Sequence, residues 1–160
     1  MAQAVIALGG NLGDTRAIFR QAITAICALA PARLIARSSD YATPPWGETD
    51  QPRFVNACIE IETTLAPRPL LTLLHEIEDR NGRERDPARR WGPRSLDLDL
   101  LTYDELVVED ADLTLPHPRL FERAFVLVPL ADIAPHRVIN GRAVADALSS
   151  LSRQGIEVLN

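Results

Sequence analysis

Lysine is absent from the 160 residues, so all 17 basic side chains of the Lys/Arg class are arginine. That excludes a Schiff-base amine and the lysine of a Walker-type phosphate loop, and any clamp on phosphate has to be built from guanidinium groups. Cysteine is scarce as well. Cys27 and Cys58 stand in apolar surroundings, too few for a disulfide scaffold, and read as buried thiols in a reducing compartment. Aromatic residues make up 5% of the chain and the formal charge is −5, a balance that argues against a nucleic-acid partner. No run approaches the roughly 18 apolar residues of a membrane span. The opening Met1-Ala2-Gln3-Ala4-Val5 lacks the charged segment and long apolar stretch of a secretory leader. A cytoplasmic protein with no membrane partner is expected. No His/Cys cluster has zinc spacing, and no serine sits in a nucleophile elbow.

What is present is enough apolar residue, 46%, to bury a core, and the length favours one domain over residues 1–160. Residues 4–8 read as a short buried strand ending at Gly9-Gly10. Residues 15–30 carry a helical stripe at Ile18, Ala22, Ile26 and Leu29, stopped by Pro31. Residues 33–43 and 53–64 have strand character, separated by an irregular Thr43-Pro44-Pro45-Trp46-Gly47. A second helix spans 67–80, with Leu70, Leu71, Leu74 and Ile77 on one face, and a polar loop of Arg and Pro fills 83–94. Residues 96–103 alternate as a strand. The order is β-α-β-β-α-β, an α+β, ferredoxin-like core with an antiparallel sheet. Prolines 116, 118, 129 and 135 break up a tail with helical stretches near 122–131 and 143–151. Gly9-Gly10-Asn11-Leu12-Gly13 reads as a tight strand-to-helix turn, because no lysine follows it to make a phosphate cradle.

The sharpest chemical signal is Arg90-Trp91-Gly92-Pro93-Arg94-Ser95-Leu96-Asp97-Leu98-Asp99-Leu100-Leu101. Strand alternation puts Asp97 and Asp99 on one face, roughly 7 Å apart at Cα, and Leu96, Leu98 and Leu100 on the other. Two neighbouring carboxylates repel unless a cation lies between or beside them. Mg²⁺ suits the pair, since it takes one or two carboxylates together with phosphate oxygens and water. Without an ion, the same pattern is only the polar face of an amphipathic strand. Arg80, Arg83, Arg85, Arg89, Arg90 and Arg94 crowd the segment just before Leu96, and forked donors for phosphate beside acids for metal suit phosphoryl transfer. Trp91, in a polar Gly/Pro loop, suits a lid over a planar ligand.

This stretch resembles the signature of the 6-hydroxymethyl-7,8-dihydropterin pyrophosphokinase family of the folate pathway. Further segments in the same order carry the likeness: Ala7-Leu8-Gly9-Gly10-Asn11-Leu12-Gly13, Thr43-Pro44-Pro45-Trp46-Gly47, Asp50-Gln51-Pro52-Arg53-Phe54-Val55-Asn56-Ala57, Leu113-Thr114-Leu115-Pro116-His117-Pro118-Arg119 and Arg123-Ala124-Phe125. The resemblance implies a three-layer α/β/α monomer. It implies that Asp97 and Asp99 hold two Mg²⁺ ions on the phosphates of ATP, the co-substrate. The acceptor's hydroxymethyl oxygen would attack the β-phosphorus and AMP would leave. Arg83 and Arg94 would stabilise the moving group, with Arg85 assisting. Glu78, Trp91, Leu100, Thr114, His117 and Arg123 would lie on the ATP side. Thr43, Pro44, Trp46 and Asn56 would meet the pterin edge, and Phe54 and Phe125 would sandwich its rings. Two other classes share some of these features. A nucleotidyl transferase or phosphodiesterase would use the same acids but leave the 43–56 segment unexplained. An RNA- or ligand-binding module would need exposed sheet aromatics and a basic surface.

Overall fold

The computed structural model describes residues 1–45, 49–82 and 95–160. Its centre is a six-stranded sheet in which every pairing is antiparallel. The strands are β1 (Ala2–Gly10), β2 (Ala32–Arg37), β3 (Asp40–Thr43), β4 (Phe54–Thr63), β5 (Asp97–Tyr103) and, after the small hairpins, β10 (Glu157–Leu159). Their order is β10-β3-β4-β1-β5, with β2 also paired to β4. Two hairpins, β6 (Val108–Glu109) with β7 (Thr114–Leu115) and β8 (Val138–Ile139) with β9 (Arg142–Ala143), stand apart from it. The helices among the described residues are α1 (Thr15–Leu29), α2 (Pro67–Arg80), α3 (Ala124–Ile133) and α4 (Val144–Ser149).

Alternation along β1 divides the interior in two. Ala4, Ile6 and Leu8 join Phe19, Ile26, Leu74 and Ile77 in one core under α1 and α2. Val5 and Ala7 join Tyr41, Cys58, Leu127 and Leu130 in a second core under α3 and α4. Each fully buried Leu or Ile contributes about 1.5–3 kcal/mol. The buried stripe of α1 centres on Phe19, Ala22, Ile23 and Ile26, while Leu29 is exposed, so the apolar face is rotated from the one its spacing suggests. Pro129, expected to break the tail, lies inside α3. There the burial of Val126, Leu127, Val128 and Leu130 offsets the cost of about 3 kcal/mol for an interior proline.

Two strands depart from simple alternation. The stretch expected as one strand over 33–43 is two, β2 and β3, both paired with β4 and interrupted at Ser38–Ser39. The Ser38 hydroxyl accepts the Cys58 amide at 2.8 Å, which fills the break with a side-chain bond. β5 alternates as far as Leu101, which lies in the second core on the face of Asp97 and Asp99. Ile6 faces Leu100 but Val5 faces Thr102, so Leu101 is skipped in the pairing, and Tyr103 lies in the first core where unbroken alternation would put it in the second.

The second core is closed by a polar lock. The Tyr41 phenol donates to Asp132 at 2.8 Å, and Asp132 also accepts the Ser39 amide at 3.1 Å. Burial, then the hydrogen bond and charge of Asp132, push the Tyr41 pKa up to about 12, against an opposing pull from Arg153. Burial and the charge of Asp104 raise Tyr103 too. A phenol raised in the folded state stabilises it fully below the ordinary value near pH 10, and that stabilisation fades as pH climbs toward 12. Ultraviolet titration should therefore find less than half of the two tyrosines ionised at pH 10 in the native chain, with Tyr41 still protonated there. Half-ionisation of both at that pH would contradict the lock.

Candidate active site

The register of the central strands brings the chemistry together. Gly9 of β1 lies opposite Asp97 on one side and Asn56 on the other, and Asn56 in turn faces Tyr41. The next row runs Asp99, Ala7, Cys58. Directly opposed residues share a face. Ala7, Cys58 and Tyr41 belong to the core under α3, whereas Leu96, Leu98 and Leu100 belong to the other core. Asp97 and Asp99 therefore point to the α3 side together, and the leucines between and beside them anchor the strand from beneath.

The carboxylates meet groups delivered by the segment before α3. Arg123 stands at the N-cap of that helix, is 8% exposed, and brings Nη1 to 4.0 Å from Asp99 Oδ2. The Asp99 side chain is 42% exposed, so an incoming ligand can reach it while its guanidinium neighbour is held in the protein. Burial lowers the Arg123 pKa, Asp99 and Asp97 raise it, and Arg119 lowers it again. The group remains a cation at neutral pH because arginine starts so high. The Arg123 guanidinium carbon also lies 5.5 Å from the centre of the Phe125 ring. His117 Nδ1 accepts the Arg119 amide at 3.2 Å, which leaves the proton of the neutral ring on Nε2. Burial lowers its pKa, Asp99 opposes that, and Arg123 and Arg119 reinforce it.

β5 ends the sheet on this side, and its outer edge is closed by other means. Glu78, 2% exposed near the end of α2, accepts the Leu98 amide at 2.8 Å. Leu98 is the residue between the two aspartates. Further along, the His117 amide donates to the Leu101 carbonyl at 2.8 Å. An edge whose amides find fixed acceptors neither frays nor recruits another strand. Glu78, expected on the ATP side, has its carboxylate turned at least partly to this backbone task. Leu100, also expected there, is 3% exposed with its side chain in the core opposite the aspartates, so only its main chain is left to meet a ligand. Thr114 is half-buried in β7, its hydroxyl directed to the Asp110 carbonyl at 3.3 Å.

The acceptor-side residues gather at the other end of the same row. Asn56 Nδ2 donates to Thr43 Oγ1 at 2.7 Å, and Thr43 is 1% exposed. Phe54 lies opposite Thr43, is half-buried and joins neither core, whereas Phe125 packs against the core under α3. Pro44 follows directly and packs against the C-terminal turn at Gly155, where a Cβ would sit 2.7 Å from Pro44 Cγ. Trp46, Arg83, Arg85, Trp91 and Arg94 lie outside the described residues.

Two contributors have no site role predicted from the sequence. Asn11, 8% exposed, donates through Nδ2 to Gln51 Oε1 and to the Pro52 carbonyl, both at 2.9 Å, tying the 49–53 segment to the end of β1. Gly9 and Gly10, read as turn residues, lie within β1; the turn itself falls at Gly13, with φ of +75°. Gly10 lets the chain before β5 come close, since a Cβ there would meet the Ser95 carbonyl oxygen at 2.6 Å. Among the described residues no group of three or more His, Cys, Asp and Glu is placed to hold a metal on its own.

These contacts carry a stability prediction. Glu78→Leu strips the buried Leu98 amide of its acceptor and should lower unfolding free energy by about 1–3 kcal/mol in urea titration. Glu78→Gln, which keeps an acceptor oxygen, should lose much less. Equal stability of the Leu variant and the native chain would show that the Leu98 bond is dispensable.

The chain is similar to known proteins over most of its length. The model of the 7,8-dihydro-6-hydroxymethylpterin-pyrophosphokinase (HPPK) family matches residues 5–135. The 2-amino-4-hydroxy-6-hydroxymethyldihydropteridine pyrophosphokinase of Methylorubrum extorquens is 49% identical, covering 98% of each chain. The protein of the same description from Pseudomonas aeruginosa is 44% identical over 96% of this chain and 94% of its own. That from Bacillus subtilis is 45% identical over 81% and 77%. Among solved structures, wild-type Plasmodium falciparum HPPK-DHPS with SDX-DHP aligns with a TM-score of 0.68 at 14% identity, a likeness of fold. It covers 94% of this chain and 43% of the other, so the present chain spans less than half of that protein.

Proposed function

The chain belongs to the 7,8-dihydro-6-hydroxymethylpterin-pyrophosphokinase family, and from that membership we infer that it transfers pyrophosphate from ATP to the hydroxymethyl group of 6-hydroxymethyl-7,8-dihydropterin, in folate biosynthesis. The products are the pterin diphosphate and AMP. The observation that carries the reading at the residue level is the shared face: Asp97 and Asp99, the latter beside Arg123, point to the same side of the sheet as Asn56, which stands across Gly9 from Asp97.

The donor set suits Mg²⁺. Two carboxylates on one face, without a third protein ligand among the described residues, leave coordination positions for water and phosphate oxygens, which that ion prefers. Asp97 and Asp99 would hold it, two ions in our reading, and it would supply charge neutralisation on the ATP phosphates. The side chains do the rest. Arg123 and His117 contact the phosphates from the α3 side. Arg94 and Arg83 stabilise charge on the moving group, with Arg85 assisting, and Trp91 lies on the ATP side. Glu78, Leu100 and Thr114 border the ATP side, Leu100 through its main chain. Thr43, Pro44, Trp46 and Asn56 meet the heterocycle edge, while Phe54 and Phe125 flank its rings. The hydroxymethyl oxygen forms its bond to the β-phosphorus as the bond from that phosphorus to the α-phosphate oxygen breaks. Alignment and charge stabilisation dominate such a transfer, so a strong base is not required.

The strand order β5-β1-β4 with β2 outermost supports a ferredoxin-like core. We also propose a cytoplasmic, single-domain monomer without nucleic-acid or membrane partners. Among the described residues no helix is long and apolar enough to cross a membrane.

Asp97→Ala or Asp99→Ala should abolish nearly all AMP formation with an unchanged circular dichroism spectrum. Retention of even about a tenth of the turnover, roughly 1.4 kcal/mol of barrier, by either variant would refute the metal assignment. Arg94→Ala and Arg83→Ala should depress kcat far more than they weaken pterin binding. Equal losses would reduce both to positioning.

A further inference from the structure

Gly9 has a normal strand conformation and no turn to make, so its lack of a side chain needs another cause. A Cβ built on Gly9 would lie 2.8 Å from Asn56 Oδ1 and no nearer than 3.8 Å to any other atom. The clash is thus with a single oxygen. Asn56 cannot swing aside freely, because Nδ2 is held by the buried Thr43 hydroxyl and its backbone is paired on both sides. We propose that Gly9 is a specificity-determining position for the acceptor: it is the gap across which the Asn56 carboxamide lies, so that Oδ1 stays aimed over β1. This rests on Asn56 meeting the pterin.

With one Nδ2 hydrogen held by Thr43, the amide is fixed in orientation and its oxygen keeps its lone pairs for a heterocycle that presents an N–H there. A methyl at position 9 pushes that oxygen out of place or breaks the Thr43 bond, and either change costs the acceptor edge a contact in binding. The position has a second effect. Strands lie about 4.8 Å apart, so the backbones of Asp97 and Asn56 are about 10 Å apart across Gly9. With only hydrogen atoms on the middle residue, the floor between carboxylate and amide is flat, and a planar acceptor can lie with its reactive arm toward the aspartates.

The test is a double-mutant cycle on the full chain with the hydroxymethyl-dihydropterin as probe, read by its Kd and by KM and kcat. In the native background Gly9→Ala should raise the pterin Kd about tenfold or more, a loss of about 1.4 kcal/mol. The ATP KM, and kcat at saturating pterin, should move less than about twofold. In an Asn56→Ala background the same glycine change should raise pterin Kd at most about threefold, since the oxygen it would strike is gone and only the methyl on the floor remains. Equal factors in both backgrounds, an unaltered Kd in the first, or a matching rise in ATP KM would overturn the proposal. Should Gly9→Ala fail to fold, thermal melting makes the comparison: Asn56→Ala must restore the fold, and a double variant as unstable as the single overturns the claim. A native chain that never turns over pterin refutes the functional reading itself, whereas turnover with additive losses refutes only the role of Gly9.

Discussion

The rest of the site depends on the antiparallel register of three strands. Placing Asp97, Gly9 and Asn56 side by side makes one row of the sheet span acid, open floor and amide. A slip of one residue in β5 would turn both aspartates into the leucine core and the leucines outward. The burial of Leu96, Leu98 and Leu100 under α1 and α2 is therefore what aims the carboxylates, and the same residues that stabilise the fold orient the chemistry.

Around that row the protein fixes backbone before side chain. Glu78 holds the amide between the aspartates, the His117 amide holds the Leu101 carbonyl, and Asn11 holds the segment leading to Phe54. Arg123, seated at the start of α3 and nearly buried, supplies fixed positive charge where an exposed side chain would have to be ordered at each turnover. A chain without lysine can meet phosphate only with such planar, permanently charged forks, and in the proposed function the arginines preceding Leu96 would extend that supply.

Much of this was legible beforehand for physical reasons. The strands around Ile6, Ile59 and Leu98 and the helices through Ile26 and Leu74 announce themselves by periodic burial, and the spacing of Asp97 and Asp99 alone places them on one face. What escaped is non-local. The extra residue at Leu101 breaks the period only because β1 sets its partner, and Ser38 splits a strand only because the Cys58 amide lies opposite. Gly9 looks like turn punctuation until Asn56, 47 positions later, is seen lying across it. Glu78, placed on the ATP side by the resemblance, reveals its backbone task only when β5 presents an amide to it. The C-terminal β10 strand, three residues long and too short to show a period, becomes visible only by pairing with β3.

The central claim is that cation, floor and amide share one row. It can be tested by adding paramagnetic Mn²⁺ with a non-hydrolysable ATP analogue to the isotope-labelled chain and recording which nuclear resonances broaden. Broadening centred on Asp97 and Asp99 and extending through Ala7 and Gly9 to the Asn56 side-chain amide is the predicted result. Broadening centred on the exposed Asp110 and Asp112, or on residues of α1 and α2, with Gly9 and Asn56 untouched, would contradict it.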